Sequence, residues 1–143
     1  MAPTPTVWLI DDNQADLDLI ALALESADVH CRAFRDAREA MDVLAGVAIH
    51  DLPDLLLLDV NMPGLDGFEV LHLIQSEPRL EDLRICIVTG VDMPLSHPLL
   101  SFLGAASVLR KPATAADLGR LRADVVTALA GRVLPARAML KSG

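Results

Sequence analysis

No stretch of eighteen apolar residues occurs in the 143-residue sequence, which excludes a membrane-spanning helix of ordinary length. The opening Met1-Ala2-Pro3-Thr4-Pro5-Thr6 lacks the basic-then-apolar order of a secretory signal, so the expected location is the cytoplasm. Positive charge is scarce and scattered: 12 Lys and Arg stand against 20 Asp and Glu, a formal net charge of −8. Such a chain repels nucleic acid and anionic membrane surfaces, and only a mild basic cluster exists, at Arg132, Arg137 and Lys141. There are no repeats and no low-complexity tract, and the length is that of one domain able to bury a core. Histidines number four, but no ligand spacing links them. His30 falls on an expected strand, His72 on a helix, and His50 and His97 near loops. Cysteines number two, Cys31 and Cys86, each inside an expected strand where a small buried hydrophobe is the common role.

What the chain does have is a set of short apolar runs, each followed at once by polar residues. Val7-Trp8-Leu9-Ile10 precedes Asp11-Asp12, and Leu55-Leu56-Leu57-Leu58 precedes Asp59. Ile85-Cys86-Ile87-Val88 precedes Thr89, and Val108-Leu109 leads to Lys111-Pro112. Short apolar runs alternating with helix-length segments read as buried parallel strands with crossover helices. The expected strands are 6–11, 29–34, 54–59, 84–89 and 107–110, with helices near 14–27, 37–48, 66–76, 96–103 and 115–130. Asp36 with Glu39, and Thr114 with Asp117, each place an N-cap residue three positions before an acid. Leu118, Leu121, Val125 and Leu129 form an apolar stripe on the last helix, which Gly131 and Pro135 are expected to end. Trp8, the only tryptophan, is expected in the core.

In a doubly wound sheet of this kind the strand C-termini share one rim, and ligands bind there at the switch in strand order. Three carboxylates, a hydroxyl and an ammonium are thereby expected to converge on a site for a divalent cation and a phosphoryl group. Taken singly, each residue is ordinary. Asp11-Asp12 can be solvated turn residues, Asp59 a strand stop, Thr89 a strand residue and Lys111 a surface cation. The conjunction at these separations is what points to a site.

With these residues in view, the chain resembles a receiver domain of two-component response regulators over about residues 6–130. Residues 1–5 and 131–143 read as tails flanking it. The segment Leu58-Asp59-Val60-Asn61-Met62-Pro63-Gly64-Leu65-Asp66-Gly67-Phe68-Glu69 is similar to that family's phosphoacceptor signature. Asp11-Asp12, Thr89-Gly90, Gly104-Ala105 and Lys111-Pro112 stand at the family's separations. The stretch Asp12-Asn13-Gln14-Ala15-Asp16 further resembles receivers paired with bacterial phytochromes.

The resemblance implies a flavodoxin-like (βα)5 fold with sheet order 2-1-3-4-5. In that order two strands separate Cys31 from Cys86, roughly 14 Å and too far for a disulfide. It also implies roles for the site residues. Asp59 would accept the phosphoryl group, while Asp12, Asp59 and the Asn61 backbone carbonyl would hold Mg²⁺, with Asp11 acting through a bound water. Lys111 would pair with a phosphoryl oxygen, Thr89 would turn its hydroxyl to it, and Gly90 would leave room for entry. A cis peptide before Pro112 is implied too.

Two departures stand out. The aromatic residue that the family places three positions before the lysine is Val108 here, in a chain without tyrosine, which puts the usual output coupling in doubt. Pro94 and Pro98 crowd the start of the fourth expected helix, so it should begin late and be short.

With 32 residues after Lys111, the sequence leaves no room for an output domain, and a stand-alone receiver is expected. Its partners would be a sensor histidine kinase or histidine phosphotransfer protein and a downstream protein target, reached by binding or by phosphorelay. It would catalyse only its own aspartyl phosphorylation and dephosphorylation. A homodimer through the last strand and flanking helices is compatible with the alanine- and leucine-rich final helix. An aspartyl-nucleophile phosphatase would need a second acid two residues after the nucleophile, where Asn61 stands. A degenerate receiver, binding partners without phosphorylation, is the remaining alternative.

Overall fold

The computed structural model describes residues 4–59, 67–90 and 108–132. Five parallel strands form one sheet in the order β2-β1-β3-β4-β5, as the resemblance implied. They are β1 (Thr6–Ile10), β2 (His30–Phe34), β3 (Leu55–Asp59), β4 (Ile85–Thr89) and β5 (Val108–Arg110). Four described helices accompany them: α1 (Gln14–Leu24), α2 (Ala37–Gly46), α3 (Gly67–Gln75) and α4 (Ala115–Thr127). The helix expected over 96–103, with Pro94 and Pro98, lies outside the described residues, as do Asn61, Pro63-Gly64, Gly104-Ala105 and residues 133–143. No described helix is long and apolar enough to cross a membrane.

The unbroken apolar runs follow from burial on both faces. Every residue of β3 and β4 is buried. Because successive strand residues point to opposite faces, each run feeds two cores at once. Trp8, Ile10, Leu56, Leu58, Ile85 and Ile87 pack with α2 and α3 on one side. Val7, Leu9, Leu55, Leu57, Cys86 and Val88 pack with α1 and α4 on the other. The stripe on α4 behaves as expected, with Leu121 and Val125 buried and Leu118 and Leu129 partly so.

β2 is the sheet's edge, and only Phe34 of its five residues is buried. Cys31 is therefore exposed, against the sequence expectation, because one flank of its strand has no neighbour. Cys86 is buried, and that burial, followed by the nearby Asp124 charge, pushes its thiol up to about 12. Both thiols are free. On the same edge the Arg32 guanidinium lies 5.3 Å from the Trp8 ring centre and 4.9 Å from that of Phe34, stacked as a cation on both rings.

Helix ends show what the sequence pattern missed. α1 stops at Leu24 rather than 27, since Glu25 and Ala27 donate tighter three-residue bonds to Leu22 and Leu24. Asp28 then closes the turn at φ 58°, a left-handed conformation an aspartate tolerates. α4 changes hydrogen-bonding pattern before Gly131, passing into a π-turn over Ala128–Arg132. Thr127 is one physical reason: its hydroxyl donates to the Ala123 carbonyl at 3.0 Å, a back-bond that bends helices. Asp36 caps α2 through the Arg38 amide, and the Asp117 carboxylate accepts from the Ala113 and Thr114 amides ahead of α4. The peptide before Pro112 is trans, not the cis form that the resemblance implied; trans is the favoured form of an X–Pro bond by about 0.5–1 kcal/mol.

The C-terminus of α2 has no basic residue of its own and is capped from a distance. Arg79, in the short 3₁₀ turn Pro78–Leu80, donates to the carbonyls of Leu44 at 3.3 Å, Ala45 at 3.2 Å and Val47. These are acceptors that helix geometry leaves unpaired. Arg79→Ala is expected to destabilise the fold by roughly 2 kcal/mol, read as a lower urea midpoint at unchanged slope. An unchanged midpoint would show that water replaces the guanidinium at no cost.

Candidate functional site

The register places the site. Ile10 is paired with Leu58, and Asp59 with Val88, so Asp11 and Asp59 leave adjacent strands side by side at the C-terminal rim. The Asp11 amide donates to the Phe34 carbonyl at 3.0 Å, which fixes the first residue beyond β1. Thr89 closes β4, and its carbonyl accepts from the Lys111 amide at 2.7 Å. Residues from four places in the sequence, Asp11-Asp12, Asp59, Thr89 and Lys111, therefore meet at one edge. Asn61 lies outside the described residues.

One ammonium serves several carboxylates. Lys111 Nζ lies 2.8 Å from Asp11 Oδ2, 2.8 Å from Asp16 Oδ2 and 3.3 Å from Asp59 Oδ2. Oxygens of Asp11, Asp12 and Asp59 come within 4.8 Å of one another, a spacing that a single cation can bridge. Asp11 and Asp59 are each only 2% exposed. Burial raises the Asp11 carboxyl above its ordinary range, the Lys111 and Asn13 hydrogen bonds oppose this, and the Asp59 charge adds to it. Burial alone would lower Lys111, but the bonds to Asp11 and Asp16 outweigh it and raise it.

The donor set is all oxygen, hard and anionic, and fits Mg²⁺ rather than a thiolate- or imidazole-preferring metal. Beside it, Thr89 Oγ1 is buried yet has no hydrogen-bond partner among the described residues. A buried hydroxyl without a partner is costly, and an incoming anion would satisfy it. The described histidines stay away: His30 is on the edge strand, His72 on α3, and His50 pairs with Asp51 at 3.6 Å ahead of β3. Val108 is half-buried in β5, packed toward the α2 and α3 side. Its neighbour Arg110 holds the Gly90 carbonyl at 2.6 Å.

One residue at the site was not singled out from sequence. Asp16 is the third helical residue of α1, where an acid following an N-cap such as Asn13 reads as a capping partner. Its sequence signals are its four-residue spacing from Asp12, along the start of a helix, and its place in the stretch Asp12-Asn13-Gln14-Ala15-Asp16, which gave it no role of its own.

Residues 7–122 match the family described as response regulator receiver domain. The transcriptional regulatory protein FixJ of Bradyrhizobium diazoefficiens is 35% identical over 107 residues, covering 74% of this chain and 49% of that protein. The chain spans half or less of the length of the curated relatives it matches. Among solved structures, the Mn(2+)-bound form of response regulator Rcp1 superposes with a TM-score of 0.72 at 26% identity, covering 92% of this chain and 99% of that one. The bacteriophytochrome response regulator AtBRR shares the fold, with a TM-score of 0.67 at 24% identity over 87% of this chain and 94% of that one. Strand order, the acidic rim and these matches agree: the chain belongs to the response regulator receiver domains of two-component signalling.

Proposed function

We propose that Asp59 accepts a phosphoryl group from a histidine kinase or histidine phosphotransfer protein. The modified protein would then act by binding a downstream protein or by passing the group on. The observation that carries this reading is the convergence of Asp11, Asp12 and Asp59 with the Lys111 ammonium at one buried rim. An Asp59 oxygen attacks phosphorus as the donor's phosphorus–nitrogen bond breaks, and the departing imidazole takes a proton. Asp12, Asp59 and the Asn61 carbonyl would hold Mg²⁺, with Asp11 acting through a water; the ion supplies positive charge against the phosphoryl oxygens. Lys111 adds a second positive charge, and the Thr89 hydroxyl gives the arriving oxygens a donor. The outcome for signalling is a shift between two conformations, limited by how differently the phosphoryl group contacts each.

The chain's own phosphorylation and dephosphorylation are the only reactions this reading assigns. Whether it pairs with a second copy is a separate proposal, tested by light scattering with and without a phosphoryl analogue. The central test is the intact mass after incubation with a small-molecule phosphodonor. One added phosphoryl group, dependent on both Mg²⁺ and Asp59, is the expected result. A folded protein that gains nothing would make it a binding module that works unphosphorylated.

A further inference from the structure

Lys111 is shared between two kinds of carboxylate. Asp11 and Asp59 belong to the cluster that a cation can bridge, whereas Asp16 does not. Any cation entering that cluster therefore competes with Lys111 for Asp11 and Asp59, but not for Asp16. An ammonium has three donor positions and no fixed fork, so it leans toward whichever anions are offered. Asp16 offers one from the α1 side at 2.8 Å, as close as Asp11 and closer than Asp59.

The local hydrogen bonding explains why Asp16 is available for this. In a reciprocal capping box its carboxylate would accept the Asn13 amide. Here only one half of the box forms, with the Asp16 amide donating to Asn13 Oδ1 at 3.0 Å. The Asn13 amide is instead taken by Asp11 Oδ1 at 3.0 Å. The Asp16 side chain is thereby released from helix capping and turned to Lys111, 95 residues away in the chain.

We propose that Asp16 is a positioning residue for this centre: by drawing the Lys111 ammonium toward α1, it weakens the lysine's competition with a divalent cation for Asp11 and Asp59. The proposal rests on the reading of this rim as a phosphoryl and metal site. It assigns Asp16 no direct contact with either group. An acid in the first turn of a helix also favours the helix electrostatically, so the test must separate that simple role from one exerted through Lys111.

A double-mutant cycle does so. Wild type, Asp16→Asn, Lys111→Met and the double variant are titrated with MgCl₂ by calorimetry, and circular-dichroism melting confirms that each is folded at the titration temperature. Asp16→Asn is expected to weaken Mg²⁺ binding about fivefold when Lys111 is present, and by less than about twofold in the Lys111→Met background. Asp16→Glu, which keeps the charge, should restore most of the loss. Equal effects in both backgrounds would reduce Asp16 to one more distant negative charge and overturn the proposal. A lower melting temperature with unchanged Mg²⁺ affinity would overturn it too, leaving only a helix-end acid, and so would a wild type that binds no Mg²⁺. Wild type that binds Mg²⁺ yet takes up no phosphoryl group would instead sink the assignment of Asp59 and leave the Asp16 result standing.

Discussion

Asp59→Asn is expected to abolish phosphoryl uptake and, in Mg²⁺-free buffer at neutral pH, to make the fold more stable. Loss of uptake follows because an amide oxygen is a far weaker nucleophile than a carboxylate. The gain in stability follows from crowding. Asp59 is buried among carboxylates, and its charge helps to raise the Asp11 carboxyl. Lys111 loses only its longest contact, 3.3 Å, and keeps two at 2.8 Å. Relief of the repulsion should outweigh that loss, by roughly 1 kcal/mol. The pH dependence has a definite sign. A carboxyl raised in the folded state contributes stability below the ordinary carboxylate range, and that contribution is lost as pH rises through the elevated value. The advantage of Asp59→Asn should therefore be full at pH 8 and disappear toward pH 3. Urea midpoints at the two pH values check this, and a variant less stable than wild type at pH 8 would show that the favourable contacts of the Asp59 carboxylate, Lys111 among them, outweigh the repulsion.

The runs ahead of Asp11, Asp59 and Thr89 were legible because strands covered on both faces need no alternation, and the structure buries β3 and β4 throughout. Their order came from the family resemblance, since periodicity alone does not order parallel strands. Asp16 stands where the acid of a capping box would, three residues after Asn13, and only the competing Asp11–Asn13 bond reveals that the box is half made. Cys31 was misjudged because burial depends on which strand takes the edge, a property of the sheet and not of the strand. The distant cap by Arg79 and the early bend at Thr127 are likewise tertiary or hydrogen-bond details that residue spacing does not encode.

Lys111→Met carries the largest expected cost in stability. The lysine side chain is 14% exposed and is the cation shared by Asp11, Asp16 and Asp59. Removing one partner of a buried ion pair typically costs about 3–5 kcal/mol; because Asp16 is 30% exposed and the lysine itself not fully buried, roughly 2 kcal/mol is expected here. Methionine fills the stem's volume, so packing should contribute little to the loss. Mg²⁺ should repair much of it, because a ligand bound only by the folded state adds about 1.4 kcal/mol at ten times its dissociation constant. Phosphoryl uptake should remain dependent on Asp59 but slow by roughly tenfold, since Lys111 acts on the developing charge and forms no bond to phosphorus. Melting curves with and without Mg²⁺ decide the matter. Equal losses in both would mean that a divalent cation does not take over the work of the lysine's charge at this rim.

Trp8 supplies a convenient optical consequence of the two-layered core. The lone indole is buried on the α2 and α3 side, beneath the Arg32 guanidinium and 5.3 Å from the Phe34 ring. It stands three residues before Asp11, about 10 Å along the strand from the acidic rim. Its emission is therefore expected to report whether that layer is intact, from a position set back from the ion under titration.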